Sequence, residues 1–285
     1  MITTPSSIVL GGAFWTPEAT VINGKEIFSV FVKSLFANGE QGFYYDPNDL
    51  STMFQDAAGA VPVTAVGQPV GLIRDKSGRN NHARQTTSAS RPILQKDAIT
   101  GAYYLDFDGA DDFLSAPKTN MKLLHNGSGA STFVGYTPLS SVYHTILNTG
   151  NLGNASVVGA AIAQDDRVGN GSIFNIVSNG SGTLHVNNVV STGISNTSRV
   201  VTVKNITGSH IVRLNAIRMG LSSTEAGVAS QNESTNDLWI GRAPAGFPMR
   251  GRIYSLIGVG RITTDSETAA IEKELAKRVG VTLNV

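Results

Sequence analysis

Residues 105–114 read Leu-Asp-Phe-Asp-Gly-Ala-Asp-Asp-Phe-Leu. Apolar and polar side chains alternate through the first half of this stretch, as they do in a strand with one buried face. The Asp-Gly pair at positions 108 and 109 favours a tight turn, and the β pattern resumes at Phe113. The stretch therefore predicts a strand, a turn and a second strand.

The same pattern extends outward in both directions along the chain. Short β-rich segments are separated by turn-forming clusters, and no repeat of fixed period is present. The strand candidates are residues 43–45, 61–66, 70–73, 103–107, 132–136, 145–147, 157–162, 172–177, 183–186, 200–203, 210–214, 217–221, 238–241 and 252–258. Many short strands joined by turns predict an all-β fold, and we expect an antiparallel β-sandwich.

Composition excludes several functional classes. The chain has 285 residues, a length that one large sandwich domain can account for. It contains no cysteine, which excludes disulfides and thiolate zinc sites. With 22 basic and 21 acidic residues and no basic stripe, we expect no binding to nucleic acid. No run of about 18 apolar residues occurs, so we also expect no membrane insertion.

The N-terminal part of the chain differs from the rest. We predict an N-terminal arm and helix for anchoring or assembly in residues 1–40, followed in residues 41–285 by the sandwich, which ends in a helix. The apolar side chains assigned to assembly are Phe14, Trp15, Phe28 and Phe31. The helix predicted over residues 25–37 either binds a partner or a membrane, or docks on its own sandwich, which its short length and few charges favour.

A second helix is predicted near the C-terminal end. Thr264 and Glu267 have the spacing of a capping box, and residues 269–278 have high helix propensity. Acidic residues lead and basic residues follow, as the helix dipole favours. Gly280 is placed to end the helix.

Three segments resemble parts of the laminin-G-like, concanavalin A-like jelly roll. They are residues 75–83, Asp-Lys-Ser-Gly-Arg-Asn-Asn-His-Ala; residues 105–114; and residues 238–242 with 250–254, before the second helix. Family members carry a D-x-S-G-x-x-N-H stretch, an F-D-G-x-D-D-Y/F-L strand-turn-strand, and two late strands followed by an S-x-x-E helix. The segments occur in family order. The resemblance implies a concanavalin A-like jelly roll over about residues 43–280.

A second resemblance concerns the stretch before the sandwich. Residues 35–42, 45–56 and 62–71 are similar to a stretch that precedes the same sandwich in tailed-bacteriophage proteins. This implies a virion structural protein at the tail or baseplate. Its partners would be other virion proteins and a host-surface glycan, and it would form a homo-oligomer. The alternative is a capsid decoration protein. Because the first residues lack the pattern of an export signal, we expect release of the particle by host lysis.

The sequence does not favour an enzyme. Glycan hydrolysis on such a fold uses paired carboxylates, often in an E-x-D-x-x-E strand pattern, which is absent. No G-x-S-x-G elbow is present either. We therefore expect a binding protein, with a glycan hydrolase on a concanavalin A-like fold as a further alternative.

A few residues are candidates for a site. Phe247, Tyr143 and His82 are assigned to ligand binding, because exposed aromatic rings stack on sugars, whereas Trp239 lies in an apolar strand and is expected in the core. The densest acidic group contains Asp106 and the three candidate metal ligands Asp108, Asp111 and Asp112. They predict either a calcium site, since hard cations favour clustered oxygen ligands, or simple turn chemistry. We expect no other cofactor.

Overall fold

The computed structural model describes residues 8–10, 13–15, 21–22, 24–140, 142–151, 154–165, 172–182, 184–190, 197–206, 210–220 and 229–283. Two α-helices occur in this part of the chain, α1 (Gly24–Ser34) and α2 (Asp265–Val279). The strands, in chain order, are β1 (Ile8–Leu10), β2 (Ala13–Trp15), β3 (Val21–Ile22), β4 (Gly42–Tyr45), β5 (Met53–Phe54), β6 (Leu72–Ile73), β7 (Ala83–Arg84), β8 (Ile93–Lys96), β9 (Tyr103–Asp108), β10 (Leu114–Ala116), β11 (Ala130–Pro138), β12 (Tyr143–Asn148), β13 (Val158–Asp165), β14 (Ser172–Asn179), β15 (Leu184–Val190), β16 (Arg199–Asn205), β17 (Ile211–Leu214), β18 (Ile217–Arg218), β19 (Leu238–Ile240) and β20 (Arg250–Val259). No helix among the described residues is both long enough and apolar enough to span a membrane.

Two antiparallel sheets form the sandwich, which confirms the predicted fold class. The nine-stranded sheet has the order β15-β14-β13-β12-β19-β10-β7-β6-β5. The eight-stranded sheet has the order β18-β17-β16-β11-β20-β9-β8. One edge of β20 pairs with β11, and its other edge pairs first with β9 and then with β4. Strand β20 therefore joins early, middle and late parts of the sequence.

The main core lies between the two sheets. It is built from alternate residues of each strand, such as Val201 and Val203 of β16 and Ala160 and Ile162 of β13, which are all buried. The residues between them point to the opposite face, as the two-residue period of a strand requires. This alternation was the basis of the sequence prediction.

A second hydrophobic cluster covers the outer face of the eight-stranded sheet. Phe28, Val32 and Leu35 from α1 and its C-terminal turn pack there with Leu275 of α2 and Tyr44 of β4. Phe28 is 6% exposed, and Phe31 packs against the cluster while partly buried. Helix α1 therefore docks on its own sandwich, the alternative that the sequence left open.

Helix α2 has the termini that the sequence predicts. The Thr264 hydroxyl accepts a hydrogen bond from the Glu267 amide, and the Glu267 carboxylate accepts one from the Thr264 amide at 2.8 Å. Gly280 ends the helix in a left-handed conformation. Both signals are local in sequence, so they could be predicted without knowledge of the fold.

Two segments differ from expectation. Residues 61–66 form a loop instead of a strand, because side chains accept their amide hydrogen bonds. The Asp56 carboxylate accepts from Ala60 and Val61, and the Gln68 side chain accepts from Thr64 and Ala65. The N-terminal arm forms a small antiparallel sheet of β1, β2 and β3. Phe14 and Trp15 belong to β2, but their side chains lie outside the described part of the structure.

Candidate functional site

Aromatic side chains gather on the outer face of the nine-stranded sheet. On β14, Ile173 and Val177 point into the core, so Phe174 points outward. Tyr143 of β12 pairs with Asp165 of β13 and shares this outward face. Its ring centroid lies 5.8 Å from that of Phe174. The register thus brings together two rings from strands that are separated by β13.

Phe247 completes this cluster from a loop. Its ring meets that of Tyr143 edge-on, with centroids 5.0 Å apart. The Phe247 carbonyl accepts a hydrogen bond from the Thr145 amide at 3.1 Å, which ties the loop to β12. Reciprocal amide-to-carbonyl bonds between Ala243 and Gly246, of 3.0 and 2.9 Å, close the loop itself. The ring is therefore fixed in position although it is 39% exposed.

The backbone of Phe247 is strained. Its φ of +60° lies in the left-handed region, which costs a residue with a Cβ about 1 kcal/mol or more. The Phe247 side chain gains little burial from this conformation, since it remains exposed. Left-handed backbone at a large exposed residue is a feature that concentrates at binding sites.

A second aromatic pair lies on the same sheet face. Trp239 points outward from β19, between the core residues Leu238 and Ile240, and its ring is stacked on that of Phe113. The two centroids are 4.3 Å apart and the planes are inclined by only 6°. Trp239 is half-buried, whereas the sequence predicted a core position, because an apolar strand at the centre of a sheet can carry a stacked aromatic on its outer face.

We call Phe113, Tyr143, Phe174, Trp239 and Phe247 the aromatic surface. Trp239 is the register partner of Asn148 on β12, and Phe247 is bonded to Thr145 on the same edge of the same strand. The two aromatic groups therefore follow one another along β12. They form two separate groups of rings, one at Tyr143, the first residue of β12, and one opposite Asn148, its last residue.

A polar group lies inside the sandwich behind Tyr143. His144 is the register partner of Gln164, which accepts a hydrogen bond from the Tyr136 hydroxyl, and Tyr136 in turn pairs with Arg199. All four side chains are buried. Burial, with the positive charge of Arg199 adding to it, lowers the pKa of His144 to about 4. His144 is therefore neutral at physiological pH.

The acidic group occupies the turn after β9. Ligand oxygens of Asp108, Asp111 and Asp112 all lie within 4.8 Å of one another. Asp112 accepts a hydrogen bond from the Asp108 amide at 3.0 Å, and Asp108 accepts one from the Ala110 amide at 2.8 Å. Burial, reinforced by the neighbouring carboxylates, raises the pKa of Asp112 to about 6. The three residues build the turn and could also supply oxygen ligands to a calcium ion.

This turn lies at the same end of the sandwich as the Phe247 loop. Asp108 pairs with Arg250, the first residue of β20, and the Phe247 loop leads directly into that strand. Phe113, which stacks on Trp239, follows Asp112 in the chain. The acidic turn therefore adjoins the aromatic surface.

His82 lies elsewhere. Its Nδ1 accepts a hydrogen bond from the Asp75 amide at 3.0 Å, and burial lowers its pKa. It precedes β7, which is three strands from β12 in the sheet, a separation of about 14 Å. The predicted ligand residues are thus divided: the structure brings Tyr143 and Phe247 together and places His82 apart from them.

Comparison with known proteins defines the fold. No protein-family model and no curated protein matches the sequence. Among solved structures, the chain is similar to the receptor binding domain of botulinum neurotoxin mosaic serotype C/D (13% identity, TM-score 0.52, 80% of this chain and 51% of that one). It is also similar to the receptor binding domain of botulinum neurotoxin D (15%, 0.51, 71% and 50%). The chain spans about half the length of these proteins, and the likeness shows a shared β-sandwich.

Proposed function

We propose that this protein is a glycan-binding adhesin and that it is a structural component of a bacteriophage particle. The observation that carries the first half of the proposal is the edge-on pair of Phe247 and Tyr143, with Phe174 beside it, on an outer sheet face. Rigid, partly exposed rings provide an apolar contact for the C–H face of a sugar at little entropic cost.

Polar groups next to the rings fit the same role. Asp165 is the register partner of Tyr143 on the outer face, and it provides a carboxylate beside the aromatic cluster. Sugar-binding sites combine apolar contact with a few polar groups that fix the orientation of the ligand.

Binding without catalysis is the role that the carboxylates support. Asp108 and Asp112 accept hydrogen bonds from backbone amides of their own turn, so they serve the local structure. Hydrolysis would require an acid and a base on either side of a glycosidic bond in a groove. We therefore propose a lectin-like protein and keep a glycan hydrolase as the competing function.

A glycan array probed with the full chain tests adhesion. We expect one class of host-surface glycan to bind, with lower binding by Tyr143→Ala and Phe174→Ala, and mass spectrometry of the incubated glycan should find it intact. Shorter glycan products would show that the protein is a hydrolase and contradict the proposed adhesin. If no glycan on the array is bound, the result contradicts glycan adhesion and favours the decoration role.

The virion role rests on the resemblance of residues 35–71 to tailed-bacteriophage proteins. We place the protein at the tail or baseplate, as a homo-oligomer in contact with other virion proteins, with β1 to β3 toward the particle. Labelling and imaging of purified particles tests this location. Label at the tail tip supports adhesion, whereas label over the head supports capsid decoration.

The arm can be tested separately from α1. Because Phe28 and Val32 of α1 are buried against the sandwich, the deletion should remove residues 1–23 and leave the helix in place. We expect this truncated chain to fold and bind glycan but to be absent from particles. Normal incorporation would contradict an anchoring role for the arm.

A further inference from the structure

A polar cleft lies at the other end of the sandwich. Its volume is about 350 Å³, and it is lined by residues 38–41, by residues of the 3-10 helix Met121–Leu124 and its flanks, and by Gly260. Gly260 directly follows the last residue of β20, whereas the Phe247 loop precedes the first. Ten strand residues span about 33 Å, so the cleft is separate from the aromatic surface.

The wall formed by residues 38–41 is rigid. The Glu40 carboxylate accepts hydrogen bonds from the amide and the side chain of Asn38, at 2.9 and 3.3 Å. It also forms an ion pair with Arg261 at 3.2 Å, and Arg261 is held in turn by Glu267 at 2.7 Å. The Arg79 guanidinium donates to the Glu40 carbonyl at 2.7 Å. The cleft is therefore formed before any ligand arrives, which lowers the cost of binding.

Side-chain amides that line this cleft have donor or acceptor groups without a hydrogen bond among the described residues. The side chains of Gln41 and Asn120 make no hydrogen bond with any residue that the structure describes. Asn120 has a left-handed backbone, with φ of +72°, and precedes the 3-10 helix without capping it. The oxygen of Asn126 accepts from the Ser128 amide at 2.9 Å, and its Nδ2 has no acceptor among the described residues. Donors and acceptors thus remain available.

One of the two charged side chains that line the cleft, Glu40, is compensated by its neighbours. Partial burial opposes ionisation of Glu40, but the hydrogen bonds from Asn38 and the charge of Arg261 hold its pKa below the usual value. Lys122 lies 3.8 Å from Glu233, and because both side chains are about half exposed this pair is weak. A ligand therefore meets several neutral amides, which can donate and accept hydrogen bonds, and one exposed ammonium group. Leu123 adds an apolar contact at the wall.

From this arrangement we propose that the cleft is a second binding site, specific for a neutral, hydroxyl-rich ligand, namely one uncharged sugar residue of a glycan. Hydroxyl groups match amides because both donate and accept hydrogen bonds. The volume is at the lower end of the range for small-molecule sites, about 300–1,000 Å³, which suits a single sugar. The cleft contains no residue of the aromatic surface, so a sugar can bind there whether or not the rings bind a glycan.

Nuclear magnetic resonance of the isotope-labelled full chain tests the proposal. The probes are D-glucose, D-galactose, D-mannose and N-acetyl-D-glucosamine, each titrated alone. We expect at least one of them to shift the side-chain amide signals of Gln41, Asn120 and Asn126 with a millimolar dissociation constant. Asn120→Gly keeps the left-handed backbone and removes the amide, so it should weaken that binding at least tenfold.

Matched variants separate the two sites. Asn80→Gly changes an exposed asparagine outside the cleft that also has a left-handed backbone, φ +60°, and should bind the sugar like the wild type. Phe247→Gly should also leave the cleft signals unchanged. N-acetylneuraminic acid is titrated as a charged comparison. The proposal is overturned if none of the four neutral sugars shifts these signals, whether or not N-acetylneuraminic acid does, or if Asn120→Gly binds with unchanged affinity.

Discussion

The rings of Phe247 and Tyr143 meet at an angle of 66°, with their centroids 5.0 Å apart. One ring is carried by a strand of the nine-stranded sheet, and the other by a loop that is hydrogen-bonded to the same strand. An edge-to-face pair of this kind holds both rings in one orientation. The exposed part of the pair is thus a fixed surface, and each ring contributes to it separately.

Replacing Phe247 with glycine should abolish glycan binding while sparing the fold. Glycine relieves the left-handed strain, worth about 1 kcal/mol, and this offsets its greater entropy in the unfolded chain. We expect Tm to change by less than about 3 °C and the affinity for an array-selected glycan to fall at least tenfold, a loss of about 1.4 kcal/mol. Calorimetry and thermal unfolding measure the two effects.

Ile99→Ala is the control for this variant. Ile99 is 96% exposed and lies in the turn between β8 and β9, outside the aromatic surface. Truncation of the Ile99 side chain should change neither the affinity for the glycan nor the Tm of the protein. If Phe247→Gly binds the glycan with wild-type affinity, the Phe247 ring is not part of the binding site.

Asp46 and Arg278 form a buried ion pair that fixes α2 to β4. The Arg278 Nη1 atom lies 2.7 Å from the Asp46 carboxylate, and each side chain is at most 5% exposed. Burial alone would raise the pKa of Asp46, but Arg278 and Lys76 outweigh it and hold the pKa below its usual value. Arg278→Met should therefore destabilise the protein by about 3–5 kcal/mol at pH 7, because it leaves a buried carboxylate with one partner fewer.

Denaturant unfolding of Lys277→Met is the matched comparison. This neighbouring side chain is 67% exposed, and its pair with Glu274 should contribute less than about 1 kcal/mol. The loss in Arg278→Met should also shrink as the pH falls through the low pKa of Asp46, since protonation removes the charge. Equal stability of the two variants would contradict the inferred role of the pair.

His144 should make the protein sensitive to acid. Its pKa is about 4 in the folded state, against 6.5 ordinarily, so the unfolded chain takes up a proton that the folded chain excludes. The associated stability is present above pH 6.5 and is lost as the pH falls toward 4, by at most about 3 kcal/mol. His144→Gln cannot titrate and should have a shallower slope of unfolding free energy against pH over this window. Parallel slopes would exclude His144 as the source.

The pH dependence of stability that Asp112 contributes has the opposite sign to that of His144. Its pKa is raised to about 6, so the folded state favours the protonated carboxyl, and this stabilisation is lost as the pH rises from 3.8 through 6. Asp112→Asn imitates the protonated form and keeps an acceptor for the Asp108 amide. Without divalent cations, we expect it to be more stable than the wild type at pH 8 by about 1 kcal/mol, after allowance for solvent screening, and equal to it near pH 3. Lower stability of the variant at pH 8 would contradict the raised pKa.

Calcium distinguishes the two roles of the acidic turn. If the turn binds the ion with a dissociation constant of about 0.1–1 mM, as exposed sites do, about 5 mM calcium should stabilise the wild type by roughly 1–2 kcal/mol. The same addition should not stabilise Asp112→Asn. Thermal unfolding measures both. A wild-type Tm that calcium leaves unchanged would assign the carboxylates to turn chemistry alone.

Local signals made much of the fold predictable. The two-residue alternation located the strands of the sandwich, and the Thr264 capping box located α2. The sequence could not predict contacts between distant segments. Asp46 and Arg278 are 232 residues apart, and only the pairing of β4 with β20 and the packing of α2 bring them together.

The candidate site was predictable in part. Phe247 and Tyr143 were assigned to ligand binding as separate exposed aromatics, and their contact depends on the hydrogen bond between the Phe247 loop and β12. Phe174 was missed because the stretch Ser172–Asn179 shows no clear alternation, and its outward orientation follows only from the burial of Ile173 and Val177 between the sheets. Strand alternation identifies the face of a ring, but sheet order decides which rings become neighbours.

The double pairing of β20 has a consequence for biosynthesis. Strand β4 leaves the ribosome early, yet its partner residues 256–259 are translated more than 200 residues later. Until then the outward-facing Tyr44 and the inward-facing Phe43 have no neighbouring strand on that edge, and the chain exposes an unpaired apolar edge. The sandwich therefore closes only after translation of β20. During that interval we expect the growing chain to be more prone to aggregation than the finished sandwich.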